Sequence, residues 1–237
     1  MLNAFLFIAG VYLWGAVPTT YLAGRYLKGI DIRRYGSGNV GAANLITLVD
    51  KRIGFLLGTF DCLAKGTLPV VMAKLLDQSL AVQVSMGLAA IAGHNWSPYI
   101  RFTGGRGVAT AVGVVFGLKM WPEFLILTVV MGLIGYLIFR ESGAWTFLAM
   151  LVLPVLAWLF DRPPEIIYMT LIIAVLLMFK RLTANWVLPS GEVPLLRVMA
   201  YRALWDRDVP RRMQWTGRGL TRDEESSSRD VGDEVLH

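Results

Sequence analysis

GSGNVGAAN, Gly36–Asn44, contains G-x-G-x-x-G, the fingerprint that in a parallel βαβ unit folds a pyrophosphate against the start of a helix. Its reading decides the fold, because the fingerprint carries that meaning only after a buried strand and before a helix. Here the apolar run 2–24 precedes it and the apolar run 53–75 follows. Both reach the roughly 20 residues that a helix needs to cross a bilayer. The glycine segment is therefore a connection between two membrane helices, and the dinucleotide reading fails on its flanks.

Working outward, further apolar runs stand at 79–93, 107–119, 121–139, 143–160 and 164–179. The chain has 237 residues, of which 55% are hydrophobic and 17% charged, with a mean hydropathy of +0.55. A soluble domain of this size cannot hide that apolar excess in one core. The sequence predicts an all-α polytopic membrane protein with about seven transmembrane or half-crossing helices. Five full crossings is the alternative, with the short runs 79–93 and 107–119 as half-crossings beside a polar cavity. The first run is too long for the apolar core of a signal peptide and lacks a small-residue cleavage site, so it reads as a retained helix.

The net charge of +6 does not point to nucleic acid, because the basic residues gather at the ends of apolar runs instead of forming a stripe among aromatics. With seven crossings the connections 25–52, 94–106 and 140–142 and the tail after 179 fall on one side, and they hold most of the Lys and Arg. The positive-inside rule then puts the N-terminus outside and the C-terminus in the cytoplasm of a multi-pass cell-membrane protein. Cys62, the single cysteine, lies inside an apolar run and reads as a small core residue. Residues 1–192 form the membrane domain. Residues 193–215 mix Leu195, Val198, Met199 and Tyr201 with Arg197, Arg202, Arg207, Arg211 and Arg212, as a basic amphipathic segment on the inner leaflet does. Residues 216–237, with Ser226, Ser227 and Ser228, have the composition of a disordered cytoplasmic tail.

In this topology Gly36, Gly38 and Gly41 let backbone N–H groups converge on an anion, and Ser37, Asn39 and Asn44 add side-chain donors. A phosphate-sized anion is the natural guest; a bare turn needs fewer small polar residues. A second segment, GHNWSPYIRFTGGRGVAT, Gly93–Thr110, has the same composition. Gly104, Gly105 and Gly107 surround the cation Arg106 just before a helix start that carries Thr110, and helix N-termini favour anions. His94 at a helix end reads first as a structural hydrogen-bonder and second as a base. In FDCLAKG, Asp61 and Lys65 stand four residues apart on one helix face and can pair; the pair serves either helix register or the potential of an anion cavity. KRLTANWVLPSGE, Lys180–Glu192, follows the last run and offers Asn185 and Glu192.

Together these segments resemble the bacterial membrane acyl-phosphate:glycerol-3-phosphate acyltransferases, whose pattern has GSGNxGAxN, then D-x-x-K-G, then GHxxP…F-x-GG[KR]GVAT, then N…GxE. The resemblance spans roughly residues 1–192 and keeps the order of the segments, although the last is one residue short before Gly191-Glu192. It implies a multispanning enzyme that moves an acyl group from acyl phosphate to the 1-hydroxyl of sn-glycerol 3-phosphate, giving lysophosphatidic acid for phospholipid synthesis with no metal or organic cofactor. Membrane lipids and other lipid-synthesis enzymes are the implied partners, and nucleic acid is not. By position, Ser37, Asn39, Arg106 and Asn185 are the implied catalytic residues, with Arg106 in place of the usual lysine. Gly36, Gly38, Gly41, Asn44, Lys65, His94, Gly104, Gly105, Gly107, Thr110, Ser142 and Glu192 are the implied substrate-binding set. Two positions depart from the pattern: Thr47 stands where the family has an arginine, and Leu182 where it has a histidine. These departures leave open a second reading, a weak or inactive relative that binds a phosphorylated lipid or metabolite as a membrane scaffold. A transporter is a third, disfavoured because the polar residues concentrate on one face and not at broken helices near the midplane.

Overall fold

The computed structural model describes residues 2–138, 142–189 and 193–209. Its regular structure is helical, and among the described residues the only β-type pairing is an isolated bridge between Ser97 and Thr103. Ser190, Glu192 and the tail 216–237 lie outside the described residues.

Helix α1 (Leu2–Gly15) turns at Val17 and Pro18 into α2 (Thr19–Lys28), and the two together form the apolar stretch Ala4–Lys28. The glycine segment then leads into the short α3 (Ala42–Leu48). Helix α4 (Lys51–Phe60) starts at Asp50, whose Oδ1 accepts from the N–H groups of Arg52 at 2.7 Å and Ile53 at 3.0 Å, satisfying orphan donors of the first turn. A wide π turn, Asp61–Thr67, carries α4 into α5 (Leu68–Leu75). Pro69 lies one residue into α5; its ring would meet the carbonyl four residues back in a regular α-helix, and a wider turn accommodates it. The same turn puts both Asp61 and Lys65 inside the bundle, each 2% exposed.

Helix α6 (Leu80–Asn95) packs along α1 and α5, and α7 (Val108–Gly117) packs on the π turn. Helix α8 (Trp121–Thr128) continues through a second π stretch, Val129–Ile138. Helices α9 (Ser142–Leu159) and α10 (Pro164–Thr183) form an antiparallel pair. The main core runs among α5 to α10, with Val70, Ile91, Val114, Met120, Met169 and Ile173 buried in it. A smaller cluster of Ile32, Val40, Leu45 and Ile100 lies beneath the glycine segment and holds it against the bundle.

Four helical stretches are long and apolar enough to cross a membrane: Ala4–Lys28, Lys51–Leu75, Ser142–Leu159 and Pro164–Trp186. Only 17–39% of their most apolar windows is buried within the protein, so large apolar side chains such as Phe55, Trp158 and Val175 face outward, where lipid satisfies them. Helix α7, at 10 residues, rises only about 15 Å, half of the ~30 Å hydrocarbon core. It is a short, largely buried helix, too short to cross alone.

Helix α11 (Leu195–Trp205) belongs to the predicted amphipathic segment, but it is docked on α9 and α10 more closely than a leaflet-bound helix need be. Val198 and Arg202 are buried there, while Leu195 and Leu196 remain exposed.

Candidate functional site

The segment Gly36–Asn44 folds around Asn44. Its amide donates to the carbonyls of Ile32 (3.0 Å), Tyr35 (3.2 Å) and Asn39 (3.1 Å), and its Oδ1 accepts from the Ser37 N–H at 3.1 Å. The side chain is thus engaged by the loop itself, and Asn44 acts as its organiser. The turn needs left-handed backbone at Gly36 (φ +57°) and Gly38 (φ +69°), which glycine adopts without the Cβ clash of other residues. Gly41 precedes α3 in extended conformation. The Ser37 hydroxyl accepts from the Asn39 N–H at 3.4 Å. The Asn39 amide lies over Gly41, with its Oδ1 buried and unpartnered among the described residues.

The second segment, between α6 and α7, crosses directly behind this loop. Gly104 accepts from the Val40 N–H at 3.4 Å, and the Gly105 N–H donates to the His94 carbonyl at 3.1 Å. A side chain at Gly105 would strike the His94 ring, whose Nε2 lies 2.0 Å from where the Cβ would stand. Gly107 precedes α7, and Thr110 in its first turn is fully buried.

The third segment follows α10. Asn185, in left-handed conformation (φ +58°), accepts from the Gly104 N–H at 3.0 Å and donates to the Gly104 carbonyl at 3.1 Å and the Gly38 carbonyl at 3.4 Å. Ser37, Gly38, Arg106 and Asn185 consequently line one cavity of about 170 Å³, together with Arg33 and Arg34.

The electrostatics of the cavity are set by its arginines. Arg33 is held bidentately by Asp31 (Nε to Oδ1, 2.9 Å; Nη2 to Oδ2, 2.6 Å) and donates Nη1 to the Ile100 carbonyl at 3.3 Å. This pairing keeps the Asp31 carboxyl below the usual carboxylate range and Arg33 charged. Arg34 is exposed and also borders a neighbouring groove with Arg25 and Tyr35. Arg106 is 9% exposed; its Nη1 donates to the Lys180 carbonyl at 2.9 Å, and its Nε lies between the carboxylate oxygens of Asp206 at 2.8 and 2.9 Å. Arg33 and Arg34 entered the sequence reading only as topogenic charges, although their place just before GSGN was a signal. Asp206 had none, because its partner is 100 residues away.

Lys65 and His94 are not in this cavity. Lys65 Nζ binds Asp61 Oδ1 at 2.7 Å, the Val17 carbonyl at 2.7 Å and Thr19 Oγ1 at 3.3 Å, so the predicted pair forms inside the bundle and ties the π turn to the α1–α2 bend. His94 Nδ1 lies 3.8 Å from Asp61 Oδ2. Lys65 and His94 border a separate, much smaller cavity on which Gly104 and Gly105 also abut. Ser142 begins α9, and its carbonyl accepts from the Thr146 hydroxyl at 2.7 Å, away from the arginine cavity. Thr47 is exposed on α3 and bonds the Ala43 carbonyl at 3.2 Å. The Leu182 carbonyl accepts from Arg202 Nη1 at 2.8 Å. Neither Thr47 nor Leu182 lines the cavity.

A family model described as glycerol-3-phosphate acyltransferase matches residues 5–186, the bundle and all three segments through Asn185. The chain belongs to this acyltransferase family. Within it, glycerol-3-phosphate acyltransferase 5 of Dehalococcoides mccartyi is 36% identical over 229 residues, covering 92% of this chain and 94% of the relative. The glycerol-3-phosphate acyltransferase of Trichlorobacter lovleyi is 38% identical over 180 residues, 76% of this chain and 91% of its own length. Among solved structures, the integral membrane glycerol 3-phosphate acyltransferase PlsY in its glycerol 3-phosphate form superposes with a TM-score of 0.70 at 30% identity, covering 76% of this chain and 88% of that one. The glycerol-3-phosphate acyltransferase fold of this chain is an all-helical membrane fold, and its family role belongs to phospholipid synthesis.

Proposed function

We propose that this family member transfers an acyl group from acyl phosphate to the 1-hydroxyl of sn-glycerol 3-phosphate, giving lysophosphatidic acid and inorganic phosphate. The observation that carries the reading is the convergence of Arg33, Arg34 and Arg106 with Ser37 and Asn185 on one cavity at the meeting of three glycine-containing segments. Both substrates are phosphorylated, and this is the chemistry that cations and small polar donors recognise.

The hydroxyl oxygen forms a bond to the acyl carbon, the bond from that carbon to the phosphate oxygen breaks, and its electron pair leaves with the phosphate. The hydroxyl proton passes to a phosphate oxygen. His94 is buried and borders the small cavity beside Gly104 and Gly105, not the arginine cavity, which favours a substrate phosphate over a side chain as proton acceptor. Catalysis then rests on holding two anions so that hydroxyl and carbonyl meet, with cations stabilising the charge that develops on the leaving phosphate. Ser37, Arg106 and Asn185 are the chain's own contributors in this scheme, and Asn39 and Asn44 keep the loop in shape. The three segments face the cytoplasm, with the N-terminus outside and the C-terminus inside, in accord with the basic residues of their connections.

Purified protein given acyl phosphate and glycerol 3-phosphate should release phosphate and form lysophosphatidic acid in equal amounts. Phosphate release without lysophosphatidic acid, or no turnover with intact protein, rejects the reading.

A further inference from the structure

Arg106 is held from outside the matched family span. Its Nε edge is occupied by Asp206, the residue that caps the C-terminal end of α11, and α11 lies beyond residue 186, where the family match ends. We propose that Asp206 is a positioning residue of the acyltransferase site: the C-terminal segment orients the Arg106 guanidinium towards the anion in the arginine cavity. The inference rests on the proposed anion site.

The docking of α11 is built for precision. Arg181 donates Nη1 to the Ala203 carbonyl at 2.8 Å and Nη2 to the Gly143 carbonyl at 3.0 Å, fastening α10 to both α11 and α9. Arg202 donates to the Leu182 and Val187 carbonyls, both at 2.8 Å, and pairs with Asp208 at 2.6 and 2.8 Å. Gly143 abuts the Trp205 backbone, where a Cβ would stand 2.4 Å from the Trp205 carbonyl oxygen. Asp206 therefore presents its carboxylate from a fixed helix end, and its own N–H is bonded to the Arg202 carbonyl at 3.1 Å. With Nε on Asp206 and Nη1 on the Lys180 carbonyl, the planar guanidinium has a single orientation. Nη2 has no hydrogen-bond partner among the described residues, so it remains available on a side chain that lines the cavity. A lysine at position 106 needs no such device, because an ammonium has no plane to orient.

The sign of the effect separates orientation from simple charge. Asp206 carries a negative charge beside an anion site, so if Arg106 served only as a charge, removing Asp206 would tighten anion binding. If Asp206 orients the fork, removal loosens it. The test measures glycerol 3-phosphate and inorganic phosphate binding by calorimetry, and kcat and KM with acyl phosphate and glycerol 3-phosphate, in full-length wild type, Asp206→Ala, Asp206→Glu and Asp206→Asn. Thermal melts in the same detergent report folding.

We expect Asp206→Ala to weaken phosphate binding and raise one substrate's KM about tenfold, with Asp206→Glu recovering most of the loss. In an Arg106→Lys background Asp206→Ala should have no further effect. Tighter anion binding in Asp206→Ala, or unchanged binding and KM, overturns the proposal. So does an equal loss in the Arg106→Lys background, or loss in step with a lowered melt that Asp206→Asn and Asp206→Glu fail to relieve. A wild type that binds phosphate but does not turn over rejects the acyltransferase reading alone, since the binding arm still decides Asp206. A wild type that binds no phosphate overturns both.

Discussion

The Asn185 carboxamide closes on both backbone groups of Gly104, accepting from its N–H at 3.0 Å and donating to its carbonyl at 3.1 Å, and the same Nδ2 reaches the Gly38 carbonyl at 3.4 Å. One side chain after α10 thereby fixes two glycine turns, one of them 147 residues away in sequence. Asn185→Ala should cut turnover by at least about tenfold and lower the melting temperature, since it leaves the Gly104 N–H without its partner, at a cost of about 1–3 kcal/mol, and the Gly104 carbonyl with only the long bond from Val40. Asn185→Asp keeps the acceptor, loses the donor and adds an anion beside the arginines, so it should bind phosphate more weakly than Asn185→Ala. Calorimetry with inorganic phosphate checks the order of the two; the reverse order would mean that Asn185 does not border the anion.

Arg34 and Arg33 line the same cavity but are held differently, which separates their phenotypes. Arg34 is exposed and borders both the cavity and the neighbouring groove, whereas Arg33 links Asp31 to the loop at Ile100 and lies over the Tyr21 ring at 4.9 Å. Arg34→Ala should raise KM several-fold at unchanged melting temperature, because only a cation is lost. Arg33→Ala should lower both affinity and stability, because it also frees the second glycine segment. Steady-state kinetics beside melts distinguishes the two, and identical effects would refute the assignment.

The Asp31–Arg33 pair also sets a pH dependence. Arg33 holds the Asp31 carboxyl below its ordinary 3.8, so the folded state binds that proton less readily than the unfolded chain. The pair's contribution is therefore present above about pH 4 and is lost as pH falls below 3.8 and through the lower folded value. Since both side chains are partly exposed (28% and 14%), that contribution should be no more than about 1 kcal/mol. Asp31→Asn should melt lower than wild type at pH 7, with the gap narrowing as pH falls below 3.8 and through the lower folded value. A gap that is constant with pH would mean that the carboxylate charge is not what holds Arg33.

How much of this was legible beforehand depends on the range of the interaction. The α4–π–α5 stretch was readable because lipid demands apolar runs of known length and because Asp61 and Lys65, four apart, report a shared face. GSGN and GGRG were readable because turns confine their chemistry to adjacent residues. The burial of the short helix α7 was not legible, since a short apolar run fits either an interfacial or a buried helix. The arginine cavity required knowing that residues 33, 106 and 185 meet, which no local pattern encodes. Likewise, the docking of α11 depends on arginines that satisfy backbone carbonyls at helix ends, and in sequence these look the same as arginines that face lipid headgroups. The bonds of Asn44 were illegible for a related reason: a small amide inside a glycine loop is equally suited to a ligand and to the loop's own carbonyls, and only the folded loop shows the bonds to Ile32, Tyr35 and Asn39.

The Asp61–Lys65 pair should behave as structure. Both groups are 2% exposed and Lys65 also binds Val17 and Thr19, so removing one partner leaves a buried charge uncompensated, typically at about 3–5 kcal/mol. Asp61→Asn and Lys65→Met should each lower the melting temperature sharply, and the double variant should be more stable than either. Any residual folded protein should keep wild-type KM, because neither residue lines the arginine cavity. A raised KM at unchanged stability in Lys65→Met would move Lys65 into the anion site.

The orientation of the chain in the membrane makes the last prediction. The connection from Arg25 to Arg52 carries Arg25, Lys28, Arg33, Arg34, Lys51 and Arg52, whereas the connections at the other end of the bundle carry little beyond Lys74, Lys119 and Arg162. By the positive-inside rule the arginine cavity is expected at the cytoplasmic face, and exposed Tyr99, Phe102 and Trp186 suit a headgroup layer there. Ser37→Cys, Thr103→Cys and Val187→Cys in a Cys62→Ser background should all react with a membrane-impermeant maleimide in inside-out vesicles and stay unlabelled in intact cells. Because Val40 and Asn185 both bond Gly104, the three positions belong to one compact site and must label together. Labelling of any one from outside would separate the segments across the bilayer and dismantle the cavity as an active site.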